Sequence, residues 1–189
     1  MITFGAKYIS PINIEKFNRK GEPLTYRASF VELLPDKKTD FISLSLLLGK
    51  KQYNTEYLHN IFDDFSNAIA GDAGGDTGTR FFAITKPQKQ YSFIFPFKIL
   101  GIADISNSYF DLNTVFVRYI EAFPGIFANK LNHIGSALLD GLKNIYPQKD
   151  IAGNGLPKLV PFYKHNGFEI EDTICDGELI RVKYNPTLK

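Results

Sequence analysis

The chain has very little cysteine: one residue, Cys175, among 189. A lone cysteine forms no internal disulfide, and neither it nor His59, His133 and His165 stand at metal-ligand spacing. Tryptophan is absent, and charge of one sign is scarce, with a net charge of +2 and no run of five or six like charges. So small a surplus argues against nucleic acid or an anionic membrane as partner. Lys50-Lys51 and Asp36-Lys37-Lys38 read as solvated turns. Long apolar runs are missing too. The longest, Phe41 to Leu48, is interrupted by Ser43 and Ser45 and falls far short of a membrane span. Met1-Ile2-Thr3-Phe4-Gly5 lacks the basic start and apolar core of a secretory signal. The expectation is a cytoplasmic protein.

What is present is ordinary for a globular chain: 44% hydrophobic and 22% charged residues. A chain of this length buries roughly 70% of its unfolded surface, so its core needs neither metal nor disulfide. Seventeen Phe and ten Tyr make that core aromatic. They interleave with few Lys or Arg, which reads as packing rather than a base-stacking platform. One domain over residues 1–189 is expected, with residues 1–52 a β-rich N-terminal elaboration.

The first fifty residues read as mostly extended, in Ile2 to Ile9, Leu24 to Leu34 and Phe41 to Leu48, with breaks at Pro11, Gly21 and Pro35. The last of these runs fits the start of a helix equally well. Tyr57, Leu58, Ile61, Phe62, Phe65 and Ile69 then repeat at helical spacing, with Asn54 or Thr55 as cap and Gly71 as stop. The Gly71 to Gly78 stretch lacks the Lys-Ser/Thr ending of a phosphate loop and the spacing of a calcium loop, so it reads as a connector. Strands follow at Arg80 to Thr85, Phe97 to Ile105 and Thr114 to Ala122. A helix is predicted from about Ile134 to Tyr146, a short strand at Ile151-Ala152-Gly153, and a helix over about Lys158 to Asn166 stopped by Gly167. Strands Phe168 to Ile174 and Glu178 to Tyr184 close the series, joined by a hairpin at Cys175-Asp176-Gly177. Meandering strands that give way to alternating helices predict an α/β (α+β mixed) fold, a mixed sheet with helices on both faces.

Three local features bear on chemistry. A strand ends in Tyr119-Ile120-Glu121-Ala122-Phe123-Pro124. A turn opens the next helix with Asn132-His133-Ile134-Gly135-Ser136-Ala137-Leu138-Leu139. Last comes Leu159-Val160-Pro161-Phe162-Tyr163-Lys164-His165-Asn166-Gly167-Phe168-Glu169. A strand-to-helix turn with glycine in the first helical turn offers free N–H groups and a positive dipole end to an anion. Gly135 has no Cβ to block that approach, Ser136 adds a hydroxyl and Lys130 adds charge.

From Phe97 to Tyr184 these features resemble the acyl-CoA-binding half of the GNAT superfamily of N-acyltransferases. Ile134-Gly135-Ser136-Ala137-Leu138-Leu139 is similar to the end of its pyrophosphate motif, Q/R-x-x-G-x-G/A, and to the helix that follows. Phe162-Tyr163-Lys164-His165-Asn166-Gly167-Phe168-Glu169 resembles its late helix and following strand. Aligned on Gly135, Lys130 stands where the family has Gln or Arg, and His133 where it usually has the first Gly. Gly125-Ile126-Phe127 lengthen the turn. A side chain at His133 leaves the backbone open only if it points outward.

The resemblance implies a mostly antiparallel sheet and acetyl-CoA as co-substrate, with no metal. It implies a cofactor site of Ala122, Phe123, Lys130, Asn132, His133, Ile134, Gly135, Ser136, Asn154 and Phe162. It implies that Tyr163 donates a proton to the CoA sulfur and that Glu121 is the carboxylate best placed to accept one from an amine. N–H groups near Ala122 and Phe123, freed where strands splay, would polarise the thioester carbonyl. Tyr163 as a packing residue and Glu121 as a surface-facing strand residue are the competing readings. Two functions stay open: an N-acetyltransferase acting on an amine, and a GNAT-shaped CoA-binding or regulatory protein without turnover. The N-terminal region is also read as a surface for a partner or a second copy.

Overall fold

The computed structural model describes residues 5–18, 20–50, 55–70, 78–87, 94, 98–107, 111–123 and 131–188. The strands are β1 (Lys7–Phe17), β2 (Pro23–Leu33), β3 (Arg80–Thr85), β4 (Ile99–Asn107), β5 (Thr114–Ala122), β6 (Leu131–Asn132), β7 (Asp150–Gly155), β8 (Glu169–Ile174) and β9 (Leu179–Tyr184). The helices are α1 (Lys38–Leu48), α2 (Glu56–Ala70), α3 (Ile134–Ile145) and α4 (Val160–His165). Among the described residues the strands form one sheet in the order β6-β1-β2-β3-β4-β5-β7-β9-β8. Neighbours run antiparallel except β5 and β7, which are parallel. This is the mixed sheet that the order of elements predicts, mostly antiparallel as the resemblance implies.

Side chains alternate across a strand, so consecutive residues feed opposite cores. Phe81 and Phe82 show it directly. Phe82 packs with Phe30, Ile84, Leu138 and Leu142 under α3, while Phe81 packs with Leu44, Leu58, Ile61 and Phe65 under α1 and α2. Covered on both faces, β3 and β4 are almost wholly buried and read as near-continuous apolar runs. Phe30 stacks on Phe82 with ring centroids 5.5 Å apart. Gly141 lets α3 sit directly on that stack, since a Cβ there would stand 2.7 Å from the Phe30 ring.

At the N-terminus one expectation needs correction and one open alternative is decided. The break at Pro11 does not occur, because β1 runs through it to Phe17. Among the described residues, β1 is paired beyond β2 only at Glu15 and Lys16, by β6. It is therefore an edge strand for most of its length, where proline's missing N–H is tolerated. Of the two readings open for Phe41 to Leu48, the helix is the one that forms, and the run lies in α1. Asp40, Ser43, Leu44 and Leu47 are buried at helical spacing, and the Ser43 hydroxyl donates to the Ile94 carbonyl at 2.5 Å.

Other boundaries agree to within a few residues. The Leu58 N–H donates to Thr55 Oγ1, so Thr55 caps α2. Residues 71–77, and with them the Gly71 stop and most of the connector, lie outside the described residues. Gly167 has φ +76°. Its N–H reaches the Lys164 carbonyl and that of Phe168 reaches the Tyr163 carbonyl, a paired closure of a helix end that needs a left-handed residue. Cys175 is free and exposed in the β8–β9 turn. No helix among the described residues is long and apolar enough to cross a membrane.

Asp40 ties α1 back to β2, its carboxylate accepting the Leu34 N–H at 2.9 Å. Burial pushes its pKa up to about 6; the Leu34 bond opposes that rise, and Asp36 nearby adds to it. The folded protein therefore holds this proton more tightly than the unfolded chain, and stability from this group falls as pH rises from about 4 to about 6. Asp40→Asn removes the titration. Urea unfolding across that range should show the variant gaining on the wild type as pH rises, by on the order of 2–3 kcal/mol. Parallel curves would mean that Asp40 does not titrate there.

Candidate functional site

The site grows from a defect in the sheet. β5 and β7 pair only over Thr114–Val117 and Asp150–Gly153. β7 continues to Gly155 against β9, and β5 continues to Ala122 against β4, so the two strands part. At the same point β5 carries an extra residue. Asp104 faces Tyr119 and Ile105 faces Val117, which leaves Arg118 bulged. A bulge bends its strand and sharpens the local twist, which helps β5 leave its neighbour.

The crossover from β5 to β7 is α3, and its first turn lies at the parting. In an α-helix the first N–H groups find no acceptor within the helix. His133 precedes the helix with φ +61° and makes no side-chain cap. Its residue type is tolerated in the left-handed region, which glycine occupies more easily. His133 Nε2 lies 3.1 Å from Glu15 Oε2, so the ring is turned to β1. This is the outward direction that the sequence required of a side chain there.

A cleft of about 530 Å³ opens between these elements. Ile120, Ala122 and Phe123 supply one wall, His133, Ile134, Gly135 and Ser136 the second, and Leu159, Phe162 and Tyr163 the third. Eight of the twelve residues predicted for the site meet here. Phe162 rests on Gly135, where an added Cβ would stand 3.2 Å from the ring.

Tyr163 is 6% exposed, and its ring meets Phe162 and Phe168 edge-on. It also borders a smaller cavity of about 20 Å³ between the parted strands, with Arg118 and Asn154. Asn154 thus sits beside Tyr163 in the gap rather than on the cleft wall. Burial raises the Tyr163 pKa, and the neighbouring Tyr57 raises it further.

Glu121 is separate. Its cross-strand partner Ile102 belongs to the core under α1 and α2, whereas Tyr163 belongs to the core under α3. Partners across a ladder share a face, so Glu121 and Tyr163 lie on opposite faces of the sheet. Glu121 does not line the cleft among the described residues. Burial raises its pKa.

One backbone expectation is overturned. The Phe123 N–H is not free, because it donates to the Leu100 carbonyl at 2.8 Å. Alternation along a strand then turns the Ala122 N–H the other way, toward the side that β7 has left. Lys130 lies outside the described residues, as does the side chain of Asn132. Sequence reasoning missed Ile120 and Leu159 as wall residues, although both lie in the stretches singled out. It also missed Glu15, whose partner His133 is far away in the chain and left no local signal.

No protein-family model matches the sequence, and no curated protein matches it. Solved structures do. One is a Desulfovibrio desulfuricans protein assigned to the GNAT acetyltransferases, with a TM-score of 0.56 and 15% identity over 83% of this chain and 96% of its own. The chain has the GNAT fold. A GNAT-family acetyltransferase from Staphylococcus aureus Mu50 superposes with a TM-score of 0.53 and 16% identity over 84% and 99% of the two chains. PaiA N-acetyltransferase from Thermoplasma acidophilum, solved with coenzyme A, gives 0.50 and 14% over 84% and 98%. The GNAT fold thus extends across most of the chain, beyond the half that carries the sequence resemblance.

Close contact between β7 and Tyr163 makes the site testable. A Cβ at Gly155 would run into Tyr163 Cε2 and stand 2.9 Å from its hydroxyl. Gly155→Ala should therefore displace the ring and destabilise the protein by about 1–3 kcal/mol, as overpacking does. Urea unfolding reads the loss, and near-ultraviolet circular dichroism reads the tyrosine. A neutral variant would mean that the ring does not rest on β7.

Proposed function

We propose that the protein is a cytoplasmic N-acetyltransferase that moves an acetyl group from acetyl-CoA directly to a primary amine, with residues 1–189 acting as one domain. The observation that carries this reading is the cleft at the parted strands, which joins a helix N-terminus to a buried tyrosine. The donor groups suit a diphosphate ester: Gly135 and Ser136 line the cleft at the positive end of α3, in the first turn, whose N–H groups have no acceptor within the helix. A coenzyme A complex in one fold neighbour supports the same donor. Lys130 and Asn132, just ahead of that turn, belong to the proposed donor site, as do Ile134, Phe162 and Asn154.

Chemistry follows from charge. An alkyl ammonium with pKa near ~10 must lose a proton before it attacks. Glu121, with its pKa raised by burial, is the proposed acceptor of that proton, reached through water from the far face of the sheet. The amine nitrogen then bonds to the thioester carbon. The Ala122 N–H stabilises the carbonyl oxygen as its charge grows. The carbon–sulfur bond breaks and the thiolate takes the Tyr163 proton. Burial favours the neutral phenol at working pH, which is the form that can donate. The acylated nitrogen sheds its second proton to water, the phenolate and Glu121 return to their starting protonation by exchange with solvent, and the product is a neutral amide.

A binding or regulatory protein without turnover is the second reading. It is favoured by His133 at the position where the family usually has glycine, and by the separation of Glu121 from the cleft.

Acetyl-CoA should raise the melting temperature, since a ligand that binds only the native state stabilises it, by about 2.7 kcal/mol at a hundredfold excess over Kd. No shift at millimolar acetyl-CoA would defeat both readings. Tyr163→Phe separates them from packing. Loss of a general acid should lower kcat by about 10²- to 10⁴-fold while donor affinity stays nearly constant. Unchanged turnover with a lower melting temperature would retire the catalytic role.

A further inference from the structure

Among the described residues, the N-terminal hairpin meets the proposed donor site at β6 and His133. β6 pairs with β1 through Asn132 opposite Glu15 and Leu131 opposite Lys16. The next residue is His133, with φ +61° and ψ 23°, and α3 starts after it. The same β1 residue that pairs with Asn132 also holds the His133 ring, Glu15 Oε2 lying 3.1 Å from Nε2. His165, from α4, lies with its ring centroid 6.3 Å from that of His133. The ring is thus flanked by β1 and α4 at the rim of the cleft.

Two physical points make this more than a surface contact. A left-handed residue directly before a helix suits glycine, because a side chain there stands beside the N–H groups that open the helix. A carboxylate at the edge of a polyanion site would also repel its ligand unless another charge or a structural task offsets it. Glu15 has such a task in holding the ring.

We propose that Glu15 is a positioning residue of the donor site: it draws the His133 ring toward β1 and so leaves the Gly135 and Ser136 N–H groups open to the phosphates of an acyl-CoA. The inference rests on the acyl-CoA reading above. It gives the N-terminal hairpin a role in donor binding, through a side chain that no turn motif contains.

A double-mutant cycle tests it, with acetyl-CoA titrated into the full chain by calorimetry. Glu15→Ala frees the ring and should weaken binding by about tenfold. Glu15→Gln keeps an oxygen within reach and should stay within about threefold of the wild type. In a His133→Gly background there is no ring to hold, so adding Glu15→Ala should change nothing. The same loss in both backgrounds would show that Glu15 merely supports the hairpin, and would overturn the proposal. Tighter binding by both Glu15 variants would show that the carboxylate acts by repulsion, which also overturns it. Loss of binding by His133→Gly alone would mean that the ring itself contacts the donor, and the proposal would fall on that result too. Failure of the wild type to bind acetyl-CoA defeats the underlying reading. Binding by the wild type with an indifferent Glu15 defeats only this inference.

Discussion

Four residues of parallel pairing between β5 and β7 govern the arrangement of the C-terminal half. Parallel neighbours cannot be joined by a tight turn, so a crossover is required, and α3 supplies it. A crossover helix starts near the end of the strand it leaves. The early end of the pairing therefore brings three things to one place: unpaired strand backbone, the positive end of a helix, and a gap through the sheet. Tyr163 reaches this gap because α4 packs beside the same core, its ring resting where Gly155 has no side chain. Little else in the site needs special explanation once the strands part.

The alternation of Phe81 and Phe82 does comparable work for the scaffold. It commits β3 to two cores at once, and helices must then cover both faces. The covering helices differ in how they hold on. α3 sits on the Phe30–Phe82 stack through Gly141. α1 uses polar ties instead, with Asp40 accepting the Leu34 N–H and Ser43 donating to Ile94. The cost of burying the Asp40 carboxylate appears as its raised pKa.

The legible parts of the sequence are those with one clear period or one forced residue. β3 and β5 have the bounds that their patterns predict, and the end of α4 follows from Gly167, whose backbone few other residues adopt. α1 reads equally as strand or helix in the sequence because Phe41 to Leu48 is apolar except at Ser43 and Ser45, and neither period stands out until tertiary packing chooses one. Pro11 misleads in the opposite sense: it marks an edge rather than an end. The cleft walls are legible because they come from stretches with recognisable turn chemistry. The face that Glu121 occupies is not, since it depends on the register with β4 and on the bulge at Arg118. The contact between Glu15 and His133 is a product of topology alone.

That contact has a kinetic side. Glu15 and Asn132 are far apart in the chain, and joining them closes a long loop, which is slow relative to hairpin formation. The hairpin of β1 and β2 emerges from the ribosome long before β6 has been synthesised, and its outer edge stays unpaired until then. Pro11 lies on that edge and denies a passing strand one of its hydrogen bonds. The turn that opens α3 is therefore anchored to a surface made early and completed late.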